Sequence, residues 1–410
     1  MSTARVLEGV NVLDLTWYGA GPIGLRTIAG LGADVVRVET ELRPDGLRVG
    51  GPRPVGTTNL NLSGYYNNFN ADKRSVAIDL TKPEGHKLGI ELVRWADVMM
   101  TNMTARAIRN IGMTWETVQE ANPGIIAVYQ PMQGMTGPHA EYSGFGAVLS
   151  TICGSNYLAG YEKNDPVGVG TNFPDYVVNP IHAVTAILSA LFHKRKTGEG
   201  QLIDMAQLES SVAAMAGPLF AEMNGGPDHE RRGNRHTTYA PHGAFKLREM
   251  PENRDRWLVL ACTSEAEWKA LTGVCGRPEW ADDTRLRTHE SRKANEDVLE
   301  GLLAAWAVQQ TGDDVLQRLQ AVRVPAGLVL GASDVLADRH LKERGYFVYL
   351  DHAEAGLRAY DGSGFHLQKT PLEPSKAAPM LGEHTFDVAT EILGLSTDRI
   401  ADLVATKVLH

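Results

Sequence analysis

The sequence predicts an α/β protein built on a doubly wound parallel sheet, together with a smaller α+β domain. Three observations predict this fold class. Strand-like and helix-like runs alternate through the first third of the chain, a Gly-rich turn joins the first strand to the first helix, and the composition changes after Glu222. At 410 residues the chain is also longer than one domain of ordinary size, so two domains are expected.

The first domain begins with a strand at residues 10–16, a turn at 19–22, a helix from there to about 31 and a second strand at 34–39. Further strands are predicted at 74–80, 97–102 and 125–132, and helices at 83–95, 105–111 and 115–121. Such alternation gives a Rossmann-like parallel sheet with helices on both faces, and ligands bind at the carboxyl ends of its strands.

Several side chains follow or flank these strands and are candidates for ligand binding. The basic groups among them would suit a polyphosphate, although each taken alone is more often a solvated charge. Their shared location is what favours a binding role. The candidates are Tyr18, Thr40, Arg43, Lys73, Arg74, Asn102, Met103, Arg106 and Arg109.

Asp175 lies in a short loop before the best-specified helix of the chain. Asn179 is predicted to cap this helix, and a basic run at 193–196 followed by Gly198 is typical of its end. Apolar residues at 181, 184, 187, 188 and 191 predict one buried face. A carboxylate one turn ahead of the positive helix end is expected to be ionised and presented to a ligand. The alternative is that Asp175 only forms a turn or a cap.

Composition and charge narrow the function. A net charge of -9 and a pI near 5.8 argue against nucleic acid or an anionic membrane as the main partner. We find no apolar signal segment and expect no stretch that approaches a membrane span, so a cytoplasmic location is expected. Cys153, Cys262 and Cys275 have no metal-ligand spacing, so buried thiols and no metal are expected.

The turn at Gly19, Gly21 and Gly24 fits the pattern G-x-G-x-x-G, and Glu39 follows about twenty residues later, where a ribose-binding acid would stand. An NAD-dependent oxidoreductase is therefore an alternative function. Pro22 removes one donor amide from this turn, and a tight strand-to-helix connection would need no ligand.

The second domain is expected at residues 223–331, between a first part of the large domain at 1–222 and its completion at 332–410. Strands at 243–249 and 256–263 precede helices near 265–272 and 312–322. Ser264 with Glu267 and Thr311 with Asp314 fit capping boxes or close variants of them. The chain should end in helices near 385–393 and 397–407.

Six segments of the sequence resemble one protein family, and together they span nearly the whole chain. They are VLDLTWYGAGP at 12–22, LGADVVRVE at 31–39, DKRSVAIDL at 72–80, the turn at 134–138, RKTGEGQLIDMAQLES at 195–210 and APMLGEHT at 378–385. In these segments the chain is similar to the class III coenzyme A transferases, which include formyl-CoA transferase and the α-methylacyl-CoA racemase branch.

The resemblance implies that Asp175 is the catalytic nucleophile and that a CoA thioester is the substrate, with no permanently bound cofactor. CoA would pass from a donor such as succinyl-CoA to a carboxylic or dicarboxylic acid, through an aspartyl anhydride and an aspartyl-CoA thioester. The resemblance also implies a ring-like subunit interlocked with its partner, in a homodimer or a related heteromer. A non-catalytic CoA-binding subunit is a further alternative.

Two departures from the family pattern bear on function. Many members have an arginine where this chain has Asn110, with Arg109 beside it. The racemase branch has a catalytic histidine in a segment that here reads Gly144-Phe145-Gly146. Because phenylalanine cannot exchange a proton, this segment favours transfer over epimerisation.

Overall fold

The structure, a computed structural model, describes residues 5–226, 231–250 and 255–410. The chain divides into two compact units. The first comprises Met1–Tyr157, Gly168–Asp228 and Glu343–His410, and the second comprises Leu158–Val167 and His229–Lys342. This division differs from the predicted domain limits at 222 and 331 in two ways. The chain returns to the first unit near 343, and the segment 158–167 belongs to the second unit.

A six-stranded sheet forms the centre of the first unit. Its strands are β1 (Asn11–Asp14), β2 (Asp34–Glu39), β3 (Arg74–Ala77), β4 (Val98–Thr101), β5 (Ile126–Tyr129) and β6 (Gln201–Asp204). All neighbouring strands are parallel, and their order is β3-β2-β1-β4-β5-β6. The order therefore reverses between β1 and β4, which is the place where sheets of this class bind ligands. The sixth strand was not predicted.

Helices cover both faces of this sheet. Up to β6 they are α1 (Ala20–Gly30), α2 (Gly46–Gly50), α3 (Gly64–Phe69), α4 (Pro83–Trp95), α5 (Ala105–Asn110), α6 (Trp115–Ala121), α7 (Gly146–Ile152), α8 (Ser155–Leu158) and α9 (Asn179–Thr197), with a 3₁₀ turn at Leu60–Leu62. Along β1, Val12 packs with α1 and α9, while Leu13 packs with α4, α5 and α6. This alternation of buried side chains confirms the predicted layered α/β fold.

Helix α9 is extended at its start by a π-helical turn at Pro174–Val178. Asn179 therefore lies inside a continuous helix, and the prediction that it caps the helix is wrong. Its buried side chain instead accepts from the Ser210 hydroxyl and donates to Gln207 Oε1 at 3.4 Å. Gly198 ends the helix in the left-handed conformation, with φ of 81°, as predicted.

From Pro174 to Thr197 this helix has 24 residues, and it is long and apolar enough to meet a length and hydropathy criterion for a membrane span. The expectation that no stretch approaches that length was wrong. Ala183, Ile187 and Ala190 are buried in the core between α9 and the sheet, so one face of the helix packs on the sheet. Ile181, in contrast, is 59% exposed, so the predicted apolar face is buried only in part.

The rest of the first unit contains two helices after β6, a two-stranded hairpin and two C-terminal helices. The hairpin, which was not predicted, pairs β10 (Phe347–His352) with β11 (Gly356–Asp361) in antiparallel register. The C-terminal helices pack on the face of the sheet that carries Leu13. The helices are α10 (Gln207–Ala213), α11 (Ala216–Met223), α18 (Thr385–Glu391) and α19 (Thr397–Ala405).

The second unit has an antiparallel sheet of β7 (His242–Lys246), β8 (Trp257–Ala261) and β9 (Ala326–Leu328). Its helices are α12 (Glu265–Val274), α13 (His289–Ala294), α14 (Glu296–Ala307), α15 (Gly312–Ala321) and α16 (Ala332–Ala337), with a 3₁₀ turn at Pro278–Ala281; α17 (Arg339–Glu343) ends at the boundary with the first unit. Ser264 and Glu267 form the predicted capping box, whereas the side chain of Thr311 makes no capping hydrogen bond.

Candidate active site

The candidate site lies where the loops after β1 and β4 meet. The Asn102 side chain joins them, because its Oδ1 accepts from the Trp17 N–H at 2.7 Å and its Nδ2 donates to the Trp17 carbonyl at 2.7 Å. Both loops follow the carboxyl ends of neighbouring parallel strands. The amide of Asn102 therefore fixes the two loops at the switch point of the sheet.

A cavity of about 290 Å³ opens between these loops. It brings together five of the residues predicted from the sequence: Asp175, Tyr18, Arg43, Asn102 and Met103. Its wall also contains residues for which the sequence predicted no binding role, among them Trp17, Met132, Phe145 and Gln207. No strand was predicted directly before Phe145 or Gln207. The argument that ligands bind at the carboxyl ends of strands therefore did not identify these two residues.

Asp175 is held on one side only. It lies in the π-helical turn before α9, with 6% of its surface exposed, and its Oδ2 accepts the Gly146 N–H at 2.9 Å. Among the described residues, Oδ1 has no hydrogen-bond partner. Burial raises the pKa of Asp175 to about 6, although the Gly146 N–H acts in the opposite direction. The helix end thus does not keep the pKa of this carboxyl at the ordinary value of an aspartate, but the ionised form still predominates at pH 7.

Tyr18 forms one wall of the cavity in an unusual backbone conformation. Its φ is 60°, in the left-handed region that few residues other than glycine adopt. Its N–H donates to Asp45 Oδ2 at 3.2 Å, and its ring lies parallel to that of Phe145, with 6.0 Å between ring centroids. Two half-exposed aromatic rings therefore stand together at the mouth of the cavity.

Arg43 is the basic residue of the cavity wall. Its guanidinium lies over the Trp17 ring, 5.2 Å from the centroid, and its side chain is exposed. In the part of the chain that the structure describes, it forms no ion pair with a carboxylate, so its charge is free to meet an anionic ligand.

Five of the predicted binding residues lie outside this cavity. The Lys73 ammonium is fully buried and donates to Asp14 Oδ2 at 2.9 Å, and to the Pro22 carbonyl and Asn70 Oδ1 at 3.0 Å each. All three of its protons are used, so Lys73 has none left for a phosphate. The expectation that it binds CoA is therefore wrong.

Arg74 stands at the amino end of β3, the edge of the sheet away from the cavity. It pairs with Asp34, at 3.0 Å between Nε and Oδ1, and with Glu391 at 3.2 Å. Thr40 accepts the Leu42 N–H at 3.3 Å and stabilises a turn. Neither lines the cavity, and the CoA contacts of Arg74 and Thr40 stay predictions.

Arg106 and Arg109 are exposed on α5, the helix that follows Met103. Arg109 donates to Glu141 Oε1 at 2.7 Å, and its side chain is 56% exposed. An exposed pair of this kind is weak and can be exchanged for a ligand phosphate. Neither arginine lines the cavity, but both lie on an element that borders it.

The features that suggested a dinucleotide site have structural roles. Glu39 is buried and accepts from Arg48 twice, at 2.9 Å each, from the Tyr66 hydroxyl at 2.6 Å and from the Ser75 hydroxyl at 2.8 Å. Although burial alone would raise it, the Arg48 guanidinium lowers the pKa of Glu39 to about 2. A Cβ on Gly21 would lie 2.5 Å from Thr16 Cβ. The hydrogen bonds of Glu39 are thus all made within the protein, and Gly21 allows close packing against Thr16.

The fold and the site together define an α/β protein that presents a buried carboxylate to a ligand at the carboxyl edge of its sheet. A sequence model of CoA-transferase family III matches residues 7–385, and the chain belongs to this family. It is therefore an enzyme that transfers CoA, as the resemblance of its sequence segments implied.

Relatives and solved structures agree with this assignment over the whole length. The chain is 30% identical to the succinate–glutarate CoA-transferase of Agrobacterium fabrum, over 94% of this chain and 95% of that protein. It is 30% identical to the beta subunit of the succinyl-CoA–L-malate CoA-transferase of Chloroflexus aurantiacus, over 100% and 99%. The structure of a CAIB/BAIF family protein from Brucella suis matches with a TM-score of 0.85 and 29% identity, over 95% and 99%.

Proposed function

We propose that the enzyme moves CoA from succinyl-CoA to a carboxylic or dicarboxylic acid by way of covalent intermediates on Asp175. One observation carries the proposal: the buried carboxylate of Asp175 lines the cavity at the switch point of the sheet, and its Oδ1 has no hydrogen-bond partner among the described residues. A carboxylate needs no separate base to attack a thioester, so this residue alone can supply the nucleophile.

The environment of Asp175 favours this chemistry. Burial raises its pKa to about 6, which makes the carboxylate more basic than an exposed aspartate while leaving it largely ionised near pH 7. Burial also keeps water away from an aspartyl anhydride, which would otherwise hydrolyse. A group with both properties suits successive acyl transfers.

The proposed CoA site follows the cavity wall. Tyr18, Asn102 and Met103 would contact the pantetheine arm, and Arg43 would meet an anionic group. Arg106 and Arg109, exposed on α5, are proposed phosphate contacts, and Arg109 would exchange Glu141 for the phosphate. In this proposal a CoA thioester is bound as a substrate, with no permanently bound cofactor.

The proposed donor rests on the relatives, two of which are named for reactions of succinate or succinyl-CoA with glutarate and L-malate. A dicarboxylic acceptor is proposed on the same ground. Because its substrates are CoA esters, the enzyme is proposed to act in the cytoplasm.

The assembly is proposed to be an interlocked homodimer or a related heteromer, since one relative is named as a beta subunit. Large apolar side chains are exposed along α9 and α11, including Phe192, Phe220 and Met223 at 62%, 60% and 77%. Exposed apolar surface of this kind is typical of protein–protein interfaces. Sedimentation should show a dimer or larger species at micromolar concentration, and a stable, active monomer would contradict this proposal.

The function is tested by incubating the enzyme with succinyl-CoA and a panel of mono- and dicarboxylic acids, and by identifying new CoA esters by mass spectrometry. The wild type and an Asp165→Asn control, which alters an exposed carboxylate, should transfer CoA at similar rates. Asp175→Asn should lose several orders of magnitude in rate while still binding the CoA ester. Exchange that survives in Asp175→Asn would overturn the proposal.

Tight CoA binding by the wild type without exchange with any acid would contradict the proposal and would indicate a non-catalytic subunit.

A further inference from the structure

The turn that carries Asp175 is one residue wider than a regular helical turn. It runs from Pro174 to Val178 and continues into α9, and the Asn179 N–H closes it by donating to the Pro174 carbonyl. A regular α-helix bonds four residues back instead of five, and its successive side chains point about 100° apart. The extra residue therefore decides which side chain of the turn faces the cavity. Among the five residues of the turn, Asp175 alone lines it.

Pro180 explains why the turn is wide. Proline has no N–H to donate, and in a regular helix its ring would clash with the carbonyl four residues earlier, which here belongs to Tyr176. A wider turn moves this carbonyl away from the ring, and single wide turns of this kind are frequent at functional sites. The sequence thus favours a wide turn where it carries Asp175.

Asn179 holds the end of this turn through its side chain. The residue is fully buried, its Oδ1 accepts from the Ser210 hydroxyl, and its Nδ2 donates to Gln207 Oε1 at 3.4 Å. Its carbonyl accepts from Gln130 Nε2 at 3.1 Å. Ser210 and Gln207 lie on α10, and Gln130 directly follows β5. The residue that closes the turn is therefore tied to two neighbouring elements.

We infer that Asn179 is a positioning residue, whose buried amide fixes the wide turn and thereby directs the Asp175 carboxylate into the cavity. This inference rests on the proposed function. Asn179 itself does not line the cavity, so it acts on the reaction through Asp175.

A positioning residue and a residue that only supports the fold have different effects on kinetics. Misplacement of a reacting group by about 1 Å can lower the rate by about 10²-fold. Tyr18 and Asn102, which are proposed to contact the CoA ester, belong to the loops after β1 and β4. Loss of the Asn179 hydrogen bonds should therefore lower kcat and change the KM for the CoA ester little. A residue that only supported the fold would change the fraction of folded enzyme and neither kinetic constant of the folded molecules.

Two neighbouring buried serines of α10 give a matched pair of variants. The Ser210 hydroxyl donates to Asn179 Oδ1, whereas the Ser211 hydroxyl donates to the Gln207 carbonyl at 2.7 Å within its own helix. Ser210→Ala should lower kcat by about tenfold or more, and Ser211→Ala should leave it unchanged. Urea denaturation of both variants gives the fraction of folded enzyme, so that kcat is compared for folded molecules.

A third variant removes the amide itself. Asn179→Leu has nearly the same volume, loses both side-chain hydrogen bonds, and should lower kcat by about 10²-fold with little change in KM. Because this substitution leaves the buried Gln207 side chain without its donor, the variant can fail to fold. In that case Ser210→Ala, which keeps the Asn179–Gln207 contact, decides the question.

The pH dependence of kcat/KM gives a second readout. Burial raises the pKa of Asp175 to about 6. When the carboxylate is no longer held in its buried position, the midpoint of the acid limb should move toward the ordinary value of an aspartate. This shift is expected in Ser210→Ala and in Asn179→Leu, but not in Ser211→Ala.

A wild-type kcat in Ser210→Ala, an equal loss of kcat in Ser211→Ala, or a rise in KM without a loss of kcat would overturn the inference. If the wild type transfers no CoA, or forms no adduct on Asp175, the proposed function fails instead.

Discussion

Replacement of Asp175 by asparagine is expected to stabilise the folded protein near neutral pH while it removes the proposed nucleophile. Burial raises the pKa of this carboxyl from the usual 3.8 to about 6. A carboxyl whose pKa is higher in the folded than in the unfolded state lowers stability at pH values above the folded pKa. This cost disappears as the pH falls to the unfolded pKa. A shift of about two units corresponds to about 3 kcal/mol near pH 7.5 and to about half of that near pH 5.

The assay is urea denaturation of the wild type and of Asp175→Asn at both pH values. The variant should gain up to about 3 kcal/mol near pH 7.5, less the cost of the asparagine N–H groups that find no acceptor. Asp165→Asn is the matched control, since Asp165 is exposed, and it should change the free energy of unfolding by less than about 0.5 kcal/mol. Equal or lower stability of Asp175→Asn than wild type at both pH values would refute the reasoning that burial destabilises the ionised carboxylate.

Three further predictions concern the site and its support. Since protonated Asp175 cannot attack, kcat/KM should fall as the pH drops below about 6, by about tenfold at pH 5; a flat profile from pH 5 to 7 would contradict the raised pKa. Arg43→Gln should raise the KM for the CoA ester by about tenfold or more, whereas Arg74→Gln should leave it unchanged, because of these two residues only Arg43 lines the cavity. Equal effects of the two substitutions in steady-state kinetics would contradict the proposed CoA site. Glu39→Gln should lower the free energy of unfolding by about 3–5 kcal/mol, because it leaves the buried Arg48 guanidinium without its carboxylate partner. A loss below about 1 kcal/mol would show that this ion pair does not stabilise the fold.

The helices and strands around the sheet could be predicted because each buried element carries its own apolar repeat. Residues 34–39 and 83–95 have the predicted limits in the structure. The β10–β11 hairpin has a weak pattern, with Tyr349 and Leu357 exposed, and its pairing depends on contacts that no local signal specifies. Predictions were therefore most accurate where burial is strong.

For the site, the sequence predicted positions better than roles. Tyr18, Asn102 and Met103 line the cavity because a parallel sheet places the ends of its strands together. The role of Lys73 could not be predicted, since its ammonium donates to Asp14 and Pro22, which are 59 and 51 residues away in sequence.

The contribution of Gly146 is a backbone N–H, which a sequence does not distinguish from any other. Its signal in the sequence was a glycine in the segment 144–146, next to a phenylalanine where the racemase branch has a histidine. Only the position of Asp175 Oδ2 shows why glycine stands there.

The covalent role of Asp175 is tested most directly by trapping. The wild type is incubated with succinyl-CoA without an acceptor acid, treated with borohydride and digested, and the peptide that contains Asp175 is identified by mass spectrometry. The account predicts that Asp175 is reduced to homoserine in the wild type, that hydroxylamine in a parallel sample gives a hydroxamate at the same residue, and that Asp175→Asn is unmodified. An unmodified Asp175 in enzyme that exchanges CoA at its full rate would contradict the account.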